Sequence, residues 1–113
     1  MPIKFVFSRG FLKNVKELRK RYRLIEDDIN VLLEEMQSKG YRGDVIPEVG
    51  ADVYKVRLTN RSAQRGKSGG FRALFLKNEV DLVTFIYIYS KSDKNDVTAS
   101  EIRSMLRDLE QQD

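Results

Sequence analysis

The run Arg65-Gly66-Lys67-Ser68-Gly69-Gly70-Phe71-Arg72 sets three cations and three glycines within eight residues. An apolar run, Ala73-Leu74-Phe75-Leu76, follows at once. Glycine lets a backbone approach a partner without a Cβ in the way. Arginine grips phosphate oxygens in a bidentate fork, and lysine does so as a point charge. A cationic, glycine-rich turn feeding a strand is therefore a place to hold a nucleic-acid backbone. The same residues also suit a hairpin loop kept soluble by its charges.

Other cations extend this constellation. Lys55 and Arg57 alternate along an apolar stretch, Arg61 precedes the glycine run, and Lys91 and Lys94 follow the tyrosines Tyr87 and Tyr89. Several cations gathered together stabilise the crowded negative charge of a phosphodiester undergoing cleavage. Like charges also disfavour the protonated form of a lysine, so its pKa falls towards neutrality. Such a lysine can act as a general base or acid. RNA supplies its own nucleophile, the 2′-hydroxyl. The protein then needs proton transfer and anion stabilisers, and no metal or other cofactor is expected. The plainer reading of each cation is a solvated strand face or loop, and of the tyrosines, sheet packing.

Much other chemistry is excluded. The chain has no histidine, so a Ser-His-Asp triad is impossible and the commonest metal ligand is missing. It has no cysteine, which rules out disulfides and zinc-thiolate sites and suits a reducing cytoplasm. Gly66-Lys67-Ser68 hints at a phosphate-binding P-loop, but the motif needs a glycine where Arg61 stands. Residues 53–77 contain no carboxylate to hold a metal at this segment.

These residues need elements to position them. Apolar residues at 3, 5 and 7 predict a first strand over 3–7. Phe11, Val15, Leu18 and Tyr22 recur at the period of one helix face and predict a helix over 11–22. Ile25, Ile29, Leu32, Leu33 and Met36 predict a second helix over 24–39, with acids in its first turn and Gly40 as its stop. Gly43, Pro47 and Gly50 predict a loop from Tyr41 to Ala51. Strands are expected over 53–58, 71–76 and 80–89, with the turn at Lys77-Asn78-Glu79 and the last strand central. Alternation over 53–58 puts Tyr54, Val56 and Leu58 on one face and Lys55 and Arg57 on the other. Thr98 and Glu101 form a capping-box pattern for a helix over 98–110. The order predicts a single α+β domain over 1–113, its mostly antiparallel sheet covered by helices on one side.

The 113 residues carry a net charge of +4, unevenly distributed. Residues 51–77 hold seven Lys or Arg against Asp52, and residues 11–23 hold six against Glu17. Residues 24–39 reverse this, with five acids against Lys39. The asymmetry points to a basic binding face. No stretch is long enough to span a bilayer, and the first residues lack a signal-peptide apolar core.

The C-terminal half resembles the HigB branch of the RelE-like toxins of bacterial type II toxin–antitoxin systems. The resemblance lies in Gly66-Lys67-Ser68-Gly69-Gly70-Phe71-Arg72 and in the stretch from Phe85-Ile86-Tyr87-Ile88-Tyr89 through Ser90-Lys91-Ser92-Asp93-Lys94-Asn95-Asp96-Val97-Thr98. It covers about residues 53–110; the N-terminal strand and helical hairpin agree in order only. It implies a small sheet with two N-terminal helices and a C-terminal helix. It implies a ribosome-associated endonuclease that cuts mRNA. Its partner would be a cognate antitoxin, HigA-like with a helix-turn-helix. Arg72 would stabilise the transition state, with Lys67, Lys91 and Lys94 as further catalytic candidates. Lys55, Arg57, Arg61, Arg65 and Tyr89 would contact RNA. Some members carry a catalytic tyrosine near the position of Thr98, others a histidine. This chain has neither there, and Tyr89 is the available substitute. Two alternatives stay open: a ParE-like toxin that blocks DNA gyrase, and a basic RNA-binding module that does not cut.

Overall fold

The computed structural model describes residues 2–64, 66 and 69–111. Its elements run β1 (Lys4–Phe7), α1 (Arg9–Arg19), α2 (Ile25–Lys39), β2 (Asp44–Ile46), β3 (Val53–Leu58), β4 (Phe71–Glu79), β5 (Leu82–Ser90) and α3 (Ala99–Glu110). A single 3-10 turn, Arg61–Ala63, lies between β3 and β4. The strands form one sheet in the order β1-β5-β4-β3-β2. β1 runs parallel to β5, and every other pairing is antiparallel.

The α+β class and the mostly antiparallel sheet are as the sequence predicts, but the helices divide between both faces. α1 and α2 cover one face through Phe11, Ile25, Ile29, Leu32 and Met36, packed on Val56, Phe71, Phe75 and Phe85. α3 covers the other face through Ile102, which meets Val53, Leu74 and Ile86. On the α3 face β4 presents Arg72 and then Leu74 and Leu76, and the two leucines supply α3 with its seat. A fully buried side chain such as Phe75 or Ile102 contributes about 1.5–3 kcal/mol.

Local chemistry moves several boundaries. α1 starts at Arg9 because the Ser8 side chain accepts the Phe11 N–H at 3.0 Å, an N-cap the apolar period does not reveal. α1 ends at Arg19, three residues short of the expected end, although the Tyr22 N–H still donates to the Leu18 carbonyl. The stretch read as a loop contains β2, whose Val45 and Ile46 pair with Tyr54 and Val53. At three residues and flanked by Gly43 and Pro47, it leaves little signal. The β4–β5 turn falls at Val80 and Asp81 rather than at 77–79. Lys77 and Glu79 remain paired with β5, and the Asn78 side chain accepts from the Thr84 hydroxyl at 2.8 Å. β4, not β5, is the middle strand, although β5 is interior. The capping box of α3 forms as expected, with Thr98 and Glu101 each receiving the other's backbone N–H.

One irregularity decides where the site residues go. Phe75 pairs with Phe85, but Leu74 pairs with Tyr87, so Ile86 is an extra residue in β5. Such a bulge changes the alternation of the strand. Val83 and Phe85 face α1 and α2, whereas Ile86, Tyr87 and Tyr89 all belong to the α3 face. In a regular strand Tyr87 and Tyr89 would follow Phe85 into the other core.

The glycine turn has a structural duty of its own. A Cβ at Gly70 would lie 2.2 Å from the Leu58 carbonyl oxygen and 3.0 Å from the Asn60 nitrogen. The close approach is thus to this chain's own backbone. Gly70→Ala is expected to lower stability by roughly 1–3 kcal/mol, the usual scale of overpacking. A urea melt with an unchanged midpoint would contradict that.

Candidate RNA-binding site on the sheet

On the α3 face, strand register lines up side chains across the sheet. Arg57 stands opposite Arg72, and Arg72 opposite Tyr89. One pair further along, Lys55 stands opposite Leu74, and Leu74 opposite Tyr87. Two rows result, one carrying Arg57, Arg72 and Tyr89, the other Lys55 and Tyr87. The Tyr87 and Tyr89 rings lie 5.8 Å apart. α3 sits over Leu74, Ile86 and Val53, which leaves the arginine row at the end of the sheet near the start of that helix.

Arg72 is only 6% exposed. Its Nη1 donates to the Phe71 carbonyl at 3.2 Å. Burial, and then the charge of Arg57, push its pKa below the ordinary arginine value, with Tyr89 opposing. It stays a cation under all ordinary conditions. Tyr89 is 4% exposed, and its hydroxyl is buried with no hydrogen-bond partner among the described residues. Burial first, and then Asp96, raise its pKa above the usual tyrosine value, with Arg72 opposing. Arg57 is exposed and so open to a ligand.

The lysines are less free than the sequence suggests. Lys55 donates to Asp96 Oδ1 at 3.1 Å. The same oxygen accepts the Val97 N–H at 2.8 Å. These two bonds, the backbone one first, hold Asp96 below the ordinary aspartate range. Lys94 donates to Glu101 Oε2 at 2.9 Å. That bond raises the Lys94 pKa, the reverse of the lowering expected from clustered cations. Its nearest charge is a carboxylate, so attraction replaces the expected repulsion. Lys91 Nζ donates to the Asn95 carbonyl at 2.8 Å, and its backbone N–H ties the end of β5 to Gly70 at 2.9 Å.

Arg61 is placed elsewhere. Its Nε donates to Asp28 Oδ1 at 2.8 Å, and its backbone N–H to Oδ2 at 3.2 Å. Asp28 is buried on α2, so this pair belongs to the helical face of the sheet. Arg65 and Lys67 lie outside the described residues. Asp96 is the residue that sequence reasoning passed over. Its only signal is its place before Val97-Thr98, where a carboxylate can accept the following backbone N–H.

A family model described as the RelE toxin of the RelE/RelB toxin–antitoxin system matches residues 12–111. The chain belongs to the RelE toxin family. Its partner is therefore a cognate antitoxin. None of the curated proteins compared with it matches. Among solved structures it is similar to an arginine-to-alanine double mutant of the E. coli toxin RelE in the free state. That match has a TM-score of 0.54 at 18% identity and covers 84% of this chain and 90% of that one. At such identity the likeness bears on fold. No helix among the described residues is long and apolar enough to cross a membrane.

Two outcomes are expected for this RelE-family toxin. Arg61→Ala strips a buried carboxylate of a charged partner and should cost roughly 1–3 kcal/mol of stability, measured by chemical denaturation. An unchanged midpoint would show that the pair contributes nothing. Glu101 is held down to about 2 by the Thr98 backbone N–H and then by Lys94. A lowered folded-state pKa gives stability that is present above the unfolded value and lost as pH falls through the folded one. The α3 cap should therefore survive acidification through pH 4 and fail towards pH 2, followed by the Glu101 side-chain carboxyl carbon resonance. A midpoint near the ordinary 4.5 would contradict the assignment.

Proposed function

We propose that this chain is a metal-independent mRNA endonuclease of the HigB branch that acts on the ribosome in the cytoplasm and is neutralised by a HigA-like antitoxin with a helix-turn-helix. The observation that carries this reading is the row Arg57–Arg72–Tyr89. It sets two cations and a phenol hydroxyl, unpartnered among the described residues, on neighbouring strands. Among the described residues, no group of three or more acidic side chains converges to hold a metal.

In this reading the RNA 2′-hydroxyl loses its proton and its oxygen attacks the adjacent phosphorus. The P–O5′ bond breaks, and the departing 5′ oxygen takes up a proton. Arg72 and Arg57 stabilise the charge that builds on the phosphoryl oxygens. Arg72 is held by the sheet before substrate arrives, and its buried guanidinium must be uncovered for the phosphate to reach it. Tyr89, whose hydroxyl is buried in the free protein, donates to the same centre once that end of the row is uncovered. Lys55 contacts a neighbouring phosphate and brings the Asp96 carboxylate within reach of a proton in transit. Lys91 and Lys94 flank the row from the turn beyond β5, with Lys94 held by Glu101 in the free protein. Arg65 and Lys67 extend the contact through the glycine turn. Arg61, engaged by Asp28, keeps only a peripheral share.

Arg72→Ala should fold and lose about 10²–10³ in cleavage rate, the scale of one anion-stabilising donor. Primer extension on mRNA after brief expression reads this directly. Any cleavage of naked RNA should persist in EDTA, and the product, on the ribosome or off it, should carry a 2′,3′-cyclic or 3′-phosphate end. A folded Arg72→Ala protein that still generates new mRNA ends would overturn the assignment. A 3′-hydroxyl product would overturn the chemistry. A wild-type protein that arrests growth without new mRNA ends would point to a toxin that blocks a protein target instead.

A further inference from the structure

β1 pairs with β5 only from Leu82 to Phe85. Beyond Phe85, β5 has a strand neighbour on the β4 side alone. α1 packs beside this open edge. Between them lies a cleft of about 290 Å³, lined by Asn14 and Leu18 from α1, Tyr87 and Tyr89 from β5, and Lys94 beyond it. Asn14 Oδ1 is buried there with no hydrogen-bond partner among the described residues. A buried polar atom left unpaired in a native fold calls for an explanation.

The cleft continues the cationic row. Arg57, Arg72 and Tyr89 step across β3, β4 and β5 in register. The next place in that direction is where β1 would stand, and β1 has already ended. An RNA backbone lying on the row would pass its next nucleotide over this edge. The charges of the cleft are already matched. Glu17 pairs with Lys20, Asp93 with Arg21 and Lys94 with Glu101. That balance suits a neutral ring with donors and acceptors rather than a phosphate. Asn14 offers both an amide donor and a free acceptor, the pairing that reads a base edge. Tyr87, half-buried, supplies an aromatic face at the rim.

We propose that the Asn14 cleft is a nucleobase pocket that selects the nucleotide adjacent to the scissile phosphate. It rests on the reading of this chain as an RNA-cutting toxin and adds to it the residue that sets base preference. Asn14 acts on discrimination rather than on the chemical step.

The test uses four short mRNAs, each loaded on ribosomes, that differ only in the base beside the cleaved bond, with wild type, Asn14→Ala and Asn14→Asp. Asn14→Asp keeps the shape and replaces the amide donor with an acceptor, so it guards against a folding loss in the alanine variant. Wild type should prefer one base. Both variants should change the ratio of rates among the four by about tenfold or more, the scale of one bidentate base contact. A uniform fall in rate with unchanged ratios would overturn the proposal. A second arm is independent of cleavage. The Asn14 side-chain amide resonance is followed as AMP, CMP, GMP and UMP are added separately to the wild-type protein. A shift larger for one nucleotide supports the pocket even if no RNA is cut, in which case the nuclease reading alone falls. No shift with any of the four overturns the pocket.

Discussion

The one-residue bulge at Ile86 is the constraint on which the site depends. It lets Phe85 complete the aromatic packing beneath α1 and α2 while Tyr87 and Tyr89 turn to the opposite face. Phe85 lies 5.6 Å from Phe75 and 5.4 Å from Phe11, ring to ring, so its position is fixed by the larger core. The bulge hands that rigidity to the far end of β5. Tyr89 is thereby held beside Arg72, and Arg72 beside Arg57, by main-chain pairing rather than by side-chain contacts alone. A site held by strand register needs little ordering when a ligand arrives.

Much of the fold was legible because it rests on long periodic segments. The apolar stripe of α2, the alternation of β3 and the Thr98–Glu101 box each bury or pair what their pattern says. What the pattern hid has physical causes. Ser8 caps α1 through one side-chain bond that no periodicity records. β2 is too short to alternate visibly. The second helical face was missed because Arg72 and the β3 cations Lys55 and Arg57 share that face with Leu74 and Leu76, and a cation row does not announce that its neighbours bury a helix. For the site, Lys55, Arg57, Arg72 and Tyr89 share a face that follows from β-strand parity plus the bulge. Only the parity is readable in the sequence. Arg61 was misleading because its partner Asp28 lies 33 residues away and shows itself only on folding.

The cation row also sets a tension within the free protein. Arg57 and Arg72 are directly opposed on neighbouring strands, and like charges so placed are destabilising by roughly 0.2–1 kcal/mol. Burial of Arg72 works in the same direction. The fold offsets this with apolar packing on both faces, where Phe71 and Ala73 flank Arg72 in the larger core and Leu74 lies in the other. The structure thus holds the two arginines side by side through strand pairing and apolar packing.

That arrangement makes the site an acceptor for anions of either origin. An RNA phosphate would relieve the Arg57–Arg72 repulsion, and a carboxylate from the antitoxin would do the same. The chain already shows the second device in small form. Asp96 sits on Lys55 and Glu101 on Lys94, each carboxylate anchored by a backbone N–H at its own end. An antitoxin that supplied an acid to the exposed Arg57 would add there what Asp96 and Glu101 do for the lysines. On the proposed RNA-cutting reading, inhibition and substrate binding would draw on one electrostatic feature, the same charge serving both.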